Sequence, residues 1–310
     1  MAADNANHGQ FLGMNEEEEA FAKGLAAKAL LTSAVYPLTC VKTLIQLGHE
    51  PFPLSTGKTL IVAGRNAYFL PNVFSYARQL ANLHDMGVLF TGLDSAIFSL
   101  IVQGVTSYHT SKYIDKYYPT VGGAPENINA EEKLMTLQNL TEHQSFKRHM
   151  RSAIRDSAVR IVAVTAARPL TGIGLVPQII GELIVIWGVH TLTYAADRML
   201  VKSGMYENND DKGKKDVEEV RKFINTAIPF VTNSFGYPYA VVSTVMAVAG
   251  SGLAVSFLPY TPSFVNWHNA WDYLRPHGLK RGARLFFREQ TGAVSVGSDQ
   301  QLYASNKHFF

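Results

Sequence analysis

Charged side chains interrupt stretches of this sequence that are otherwise apolar. Lys42 and Arg160 each stand inside such a stretch, and Glu182 lies within the apolar run 179–184. A charge at the centre of a bilayer costs roughly 2.5–3.5 kcal/mol on insertion scales, so a charged residue there is a candidate for function. The chemistry available to these residues is non-covalent: they can line a polar groove and stabilise hydrophilic groups inside a membrane.

Each of these residues also has a structural explanation. Lys42 could extend its side chain to the nearer membrane surface, and Glu182 could pair with Arg168 or Lys42 near a helix start. Amides and hydroxyls often only tie helices together. Taken together, however, the polar residues predict a bundle interior too polar for a sealed protein without a solute. The residues predicted to line a groove are Lys42, Gln46, Arg160, Arg168, Gln178, Glu182, His190, Asn233 and Ser243.

The sequence offers little support for an enzyme. It contains no Gly-rich phosphate-binding loop, no dinucleotide-binding glycine pattern, no zinc-protease helix motif and no nucleophile elbow. Its single cysteine, Cys40, excludes an internal disulfide framework and a cysteine-cluster zinc site. The net charge of +3 comes without a basic block, which argues against nucleic-acid binding. We therefore expect no catalytic residue, no metal and no cofactor.

Five apolar stretches of nearly spanning length would position the polar residues. A bilayer core of roughly 30 Å needs about 20 helical residues. Apolar residues make up 47% of the chain and charged residues 17%, below the roughly 25% charged residues of typical soluble domains. A sixth span would begin near residues 281–288, but the sequence that follows is polar. The predicted spans are 29–47, 93–114, 153–170, 173–200 and 224–249.

Polar and amphipathic segments separate these spans. Residues 1–22 contain no Lys or Arg, so they match neither a secretory signal nor a mitochondrial presequence, and targeting would be internal. Residues 69–80 have the spacing of a short helix along the membrane surface, although their aromatic residues could equally be ordinary packing. Residues 264–274 are predicted to be an aromatic amphipathic segment. Residues 120–145 are predicted to be a solvated loop with a short helix, and residues 204–222 a polar loop.

A recurring proline relates three parts of the chain. Pro37, Pro169 and Pro238 each come late in an odd-numbered span and are predicted to kink it. Such an internal repeat indicates one structural unit used three times. The predicted parts are an acidic arm at 1–16, repeats at about 17–119, 146–203 and 215–288, and a polar C-terminal tail at 289–310.

This arrangement resembles the mitochondrial carrier superfamily and, within it, the divergent mitochondrial carrier homolog family of the outer membrane. Carriers follow each kink proline with an acidic and then a basic residue, which together form a gate. Here Thr39 replaces the acidic residue after Pro37, although Lys42 retains the basic one, and the segment 238–243 has neither charge. A gate of three ion pairs cannot form. Further matches to the family are at 41–46, 70–76, 89–93, 174–177 and 285–288.

The middle repeat departs from the family pattern. Gly174 follows Pro169 almost at once, whereas a long connector separates Pro37 from Gly92. The connector of the middle repeat is therefore predicted to be absent, and family properties that depend on it do not carry over.

The resemblance implies an all-α membrane protein: a carrier-like three-repeat bundle whose sixth transmembrane helix is missing or incomplete, in the mitochondrial outer membrane. It implies insertion of α-helical clients, such as tail-anchored proteins, through a polar groove open to lipid, with lipid scrambling as a corollary. Membrane lipids and client proteins would be the partners. Two alternatives remain: a solute carrier, which needs gates and a sixth helix, and a receptor or scaffold, for instance for an apoptotic effector, which needs only an exposed surface.

Overall fold

Helices make up most of the described structure, as the sequence predicts. The structure is a computed structural model that describes residues 15–59, 64–118, 121, 142–167, 174–203, 211–250, 264–276 and 278–304. A short 3-10 helix at Met86–Phe90 leads into the third α-helix. The α-helices are α1 (Glu16–Leu47), α2 (Val73–His84), α3 (Leu93–Tyr117), α4 (Glu142–Ala166), α5 (Leu175–Lys202), α6 (Asp211–Gly250) and α7 (Trp267–Leu274).

In the part of the chain that the structure describes, five short strands accompany the helices, and the sequence patterns predicted none of them. An antiparallel sheet has the order β1–β2–β3, with Phe69 of β2 opposite Glu289 of β3. β4 and β5 form a separate antiparallel hairpin. Residues 288–304 are therefore structured strands and turns, although the sequence suggested only a polar tail. The strands are β1 (Ser55–Lys58), β2 (Asn66–Leu70), β3 (Arg288–Gln290), β4 (Val294–Val296) and β5 (Leu302–Ala304).

Within the described residues, three segments are long and apolar enough to cross a membrane: Glu16–Leu47, Met86–Tyr117 and Leu175–Lys202. They coincide with the first, second and fourth predicted spans. The third and fifth predicted spans are also helical, in α4 and α6, but these helices are more polar. Pro37 and Pro238 both lie inside helices, as predicted, whereas Pro169 falls outside the described residues.

Helix α6 begins earlier than the sequence suggested. Residues 204–222 were expected to form a loop because of their charge, yet α6 starts at Asp211. The Glu218 carboxylate and the Lys222 ammonium, four residues apart, are 2.8 Å from each other. Pairs at this spacing stabilise a helix, so the charges of this segment mark the solvated start of a helix.

The chain divides into two compact units. The first contains α1 up to Ile45, residues 50–104 and residues 284–306, and therefore α2 and all five strands. The second contains the last turn of α1 and residues 105–283, and therefore the second half of α3 and α4 to α7.

The core of the first unit forms around α2. The Asn72 side chain accepts a hydrogen bond of 2.8 Å from the Ser75 backbone N–H and so caps the helix. The Tyr76 ring is fully buried and meets Phe52 edge-on with centroids 4.9 Å apart. Burial raises the pKa of the Tyr76 phenol, which therefore stays neutral. The buried residues of this core are Val41, Leu44, Ile45, Phe52, Val73, Tyr76, Leu80 and Leu89.

The core of the second unit lies between α6, α7 and the end of α1. α5 and α6 also approach each other closely: a Cβ built on Gly236 would be only 2.9 Å from the Gly181 carbonyl oxygen. This contact requires glycine on both helices, because any side chain would separate the two backbones. The buried residues of the core are Leu47, Val241, Val242, Val245, Met246, Ala270 and Leu274.

Candidate functional site

An ion pair joins α4 and α5 inside the second unit. The Arg160 guanidinium donates a hydrogen bond of 2.6 Å to the Glu182 carboxylate. The two side chains are 35% and 32% exposed, so the pair is neither sealed in the core nor fully in solvent. The surrounding walls are apolar and consist of Ile161, Val164, Ile179 and Leu183.

The partner of Glu182 differs from the two that the sequence suggested. Lys42 and Arg168 were the expected partners, but Arg160 occupies this position because α4 and α5 pack side by side. Arg168 lies outside the described residues. Lys42 is half-buried on α1 and belongs to the first unit, so a shared cavity with Glu182 stays a prediction.

A second polar connection extends from α3 to α5. Arg155 on α4 makes two hydrogen bonds to the Asp115 carboxylate, at 3.0 and 2.6 Å. Its neighbour Asp156 lies 2.9 Å from Nε2 of His190 on α5. The predicted groove residue His190 is therefore held by a carboxylate of α4.

A third connection extends from α4 to α6. His149 lies 3.9 Å from Asp197, whose other carboxylate oxygen is 3.4 Å from the Arg221 guanidinium. Asp197 itself is buried, so its charge depends on these neighbours. Polar and ionic contacts thus link α4, α5, α6 and the second half of α3.

The acidic and basic residues of these two connections were not among the predicted site residues, although the charges of α4 carried a signal. Arg148, Arg151 and Arg155 are three or four residues apart and therefore share one helix face. Asp156 and Arg160, also four apart, lie on the adjoining face. This spacing could have identified α4 as the helix that supplies charges to its neighbours.

Two predicted groove residues make contacts that hold elements together. The buried Gln46 amide donates to the Tyr237 hydroxyl at 3.0 Å, and that hydroxyl donates to the Arg281 carbonyl at 2.8 Å. The Ser243 hydroxyl donates to the carbonyl of Gly174, just before α5, at 3.0 Å. Both side chains thus act as ties between α6 and its neighbours.

Several exposed side chains between residues 223 and 235 of α6 are of mixed character. Asn233, a predicted groove residue, is exposed, and so is Asn225 two turns earlier. The phenylalanines Phe223, Phe230 and Phe235 are also largely exposed. Gln178, the remaining groove candidate, is half-buried in the first turn of α5. Polar groups flanked by exposed aromatic rings suit contact with a partner that is itself part polar and part apolar.

The described residues offer no metal centre: no group of three or more His, Cys, Asp or Glu side chains among them could hold an ion. The groups of this site can form hydrogen bonds and ion pairs within a helical bundle.

Comparison with known proteins gives a consistent set of relatives, although no family model matches the chain. The chain is 27% identical over 286 residues to mitochondrial carrier homolog 2 of Homo sapiens, covering 84% of this chain and 91% of that protein. The same protein of Mus musculus is 28% identical with the same coverage. Mitochondrial carrier homolog 1 of Mus musculus is 25% identical over 311 residues, covering 88% of this chain and 77% of that protein.

Proposed function

Because the chain belongs to the mitochondrial carrier homolog family, we propose that it is a multi-pass protein of the mitochondrial outer membrane that inserts α-helical client proteins. Tail-anchored proteins and related clients would be its substrates. The observation that carries this proposal is the Arg160–Glu182 pair, a partly exposed ion pair with apolar walls. In a helix bundle embedded in lipid, such a pair supports a polar groove that a client can reach.

The groove would act by lowering the barrier to insertion. Each charged group that crosses the bilayer centre costs roughly 2.5–3.5 kcal/mol on insertion scales. A groove that removes about 1.4 kcal/mol of this cost accelerates crossing about tenfold. Arg160 and Glu182 would offer both signs of charge to the hydrophilic end of a client, while its apolar helix moves directly into lipid.

Exposed residues of α6, which packs against α5, would guide the client. The client's apolar helix would pack against Phe223 and Phe230, and its polar groups would hydrogen-bond to Asn225 and Asn233. Both kinds of contact lie on one helix of the second unit. A client could therefore exchange hydrogen bonds to the asparagines for packing against the phenylalanines as it moves.

We further propose that the bundle has three carrier-like repeats with an incomplete sixth helix. Two kink prolines lie within long helices, Pro37 in α1 and Pro238 in α6. In the described segment 278–304, where a sixth span would run, there are turns and strands but no helix. One side of the bundle would thus remain open to lipid.

Lipid scrambling is a second candidate activity, and the same ion pair favours it. A phospholipid with a choline headgroup carries one phosphate and one ammonium group. Arg160 can pair with the phosphate and Glu182 with the ammonium, so a headgroup could follow the groove while its tails stay in hydrocarbon. A solute carrier is the weaker alternative, because Thr39 and Ser243 replace gate charges.

Charge reversal at the ion pair tests the proposal. The purified chain is reconstituted in liposomes, and membrane integration of a radiolabelled tail-anchored client is measured by protease protection. We expect Arg160→Glu to reduce integration, because two carboxylates would then face each other, and Arg160→Glu with Glu182→Arg to restore part of it. Lys202→Gln is the matched control, since Lys202 is exposed and its ion pair with Glu142 is long, at 3.9 Å.

Failure of the double exchange to restore integration, with normal reconstitution levels, would show that the pair is not a functional unit. Equal integration by the wild-type chain and Arg160→Glu would remove the ion pair from the mechanism.

A further inference from the structure

The outward face of the first unit carries an unpartnered aromatic patch. Phe74 on α2 is 58% exposed and Phe286, just before β3, is 59% exposed. Their ring centroids are 5.9 Å apart, so residues far apart in sequence form one surface. Phe287, the next residue along the chain, is also exposed. Exposed aromatic rings that cluster in this way usually mark a site of interaction.

Two arginines make this aromatic surface basic. Arg78 follows Phe74 by one turn of α2, and Arg284 precedes Phe286 by two residues; both are exposed. Neither guanidinium lies within ion-pair distance of a carboxylate among the residues that the structure describes. α2 itself contains no Asp or Glu. We call these five residues, Phe74, Arg78, Arg284, Phe286 and Phe287, the aromatic–arginine patch.

The location of α2 in its unit indicates what covers the patch. Its inner face, including Tyr76 and Leu80, packs against Val41 and Ile45, in the last turns of the candidate span Glu16–Leu47. The next candidate span begins at Met86, two residues after α2 ends. α2 therefore lies where two candidate spans end, which is the level of the membrane surface. Its outer face, with aromatic and basic residues, has the composition of a helix that lies in this layer.

We propose that the aromatic–arginine patch binds the headgroup layer of an anionic phospholipid leaflet. The rings of Phe74, Phe286 and Phe287 insert at the boundary between headgroups and acyl chains, and Arg78 and Arg284 pair with phosphates of anionic lipids. The contact holds α2 and the start of β3 against the membrane. It depends on α1 and α3 spanning a membrane but not on client insertion, so the two proposals can fail independently.

A fluorescent label on α2 tests this proposal in the full chain. In a Cys40→Ser background, Asn82→Cys provides a labelling site, because Asn82 is exposed and lies two turns after Phe74 on the same face. The labelled protein is reconstituted in phosphatidylcholine liposomes with or without phosphatidylglycerol. Quenching by lipids that carry a nitroxide on the headgroup reports the fraction of α2 docked on the membrane.

We expect quenching to increase when phosphatidylglycerol is added and to decrease again at high salt, because salt screens the arginine–phosphate attraction. Arg78→Gln and Arg284→Gln should each reduce the docked-to-undocked ratio on the anionic membrane by about fivefold. Phe74→Ser with Phe286→Ser should reduce quenching in both lipid mixtures. The matched control removes the same charge near the other end of α1, with Lys23→Gln and Lys28→Gln, and should leave the lipid dependence unchanged.

Two results would overturn the proposal. A response to phosphatidylglycerol that persists in the double arginine variant would show that the arginines do not bind anionic lipid. Absence of quenching in every lipid mixture would show that the patch faces water or a protein partner.

Discussion

Replacement of Arg288 by methionine should destabilise the first unit by about 3–5 kcal/mol, because it leaves a buried carboxylate without its counter-charge. Arg288 is the first residue of β3. Its guanidinium contacts the Glu50 carboxylate and donates a hydrogen bond of 2.9 Å to the Pro71 carbonyl. The side chains of Arg288 and Glu50 are each only 6% exposed. Solvent therefore cannot replace the lost partner.

The matched control lies on the same sheet. Arg65 and Glu289 form an ion pair of 2.8 Å, but the Arg65 side chain is 74% exposed. Exposed pairs of this kind contribute about 0–1 kcal/mol. Arg65→Gln should therefore have a small effect, although it removes the same charge from the same sheet.

Cys40 makes the measurement straightforward. It is the only cysteine of the chain and packs against the buried core of the first unit, so a thiol-reactive dye reports when that core opens on heating in detergent. At about 2–4 °C for each kcal/mol in a domain of 150–250 residues, the melting temperature should fall by roughly 6–20 °C for Arg288→Met. Glu50→Met combined with Arg288→Met should recover much of this loss, because no charge remains buried.

Equal melting temperatures for Arg288→Met and Arg65→Gln would refute the reasoning, since burial would then have no effect on the cost. A double methionine variant as unstable as Arg288→Met alone would show that lost packing, and not the lost counter-charge of Glu50, causes the change.

Two further predictions concern helix packing and pH. Gly236→Ala should cost about 1–3 kcal/mol, because the added Cβ would be 2.9 Å from the Gly181 carbonyl oxygen; Gly24→Ala, with nothing within 4 Å of the new Cβ, should instead stabilise by about 0.5–1 kcal/mol, and thermal unfolding compares them. Hydrogen bonds from the Tyr303 hydroxyl at 2.7 Å and from a backbone N–H lower the pKa of Asp299 below its usual 3.8. The charged carboxylate thus stabilises the β4–β5 hairpin above pH 3.8, and this stability is lost as the pH falls through the lowered pKa. Amide exchange of the hairpin should show this loss, and Asp299→Asn should abolish it; an unchanged pH profile in that variant would contradict the assignment.

The helices could be predicted from the sequence because their signals are local. The predicted spans 93–114 and 173–200 match α3 at Leu93–Tyr117 and α5 at Leu175–Lys202. Glycines precede both apolar runs, and a long apolar run is itself a strong signal. The start of α6 was missed because its charges were read as loop composition, whereas their spacing is typical of a helix.

The strands and the ion-pair partners could not be predicted in the same way. β3 to β5 have three residues each, too few for an alternating pattern. β2 pairs with β3, which lies more than 200 residues later in the chain. Pairing of Glu182 with Arg160 depends on how α4 and α5 pack side by side, which no local pattern encodes. The sequence identified Arg160 and Glu182 as charges within helices but not that they meet.

Reconstitution of the wild-type chain is the most direct test of the central claim that the bundle is an open insertase and not a gated carrier. Liposomes with and without the purified protein receive the same tail-anchored client, and the protease-protected fragment is measured beside the exchange of labelled nucleotides and carboxylates. The open-groove account predicts a protected fragment that depends on the protein, and no saturable solute exchange. Client integration no greater than in protein-free liposomes, together with solute exchange that saturates, would contradict it.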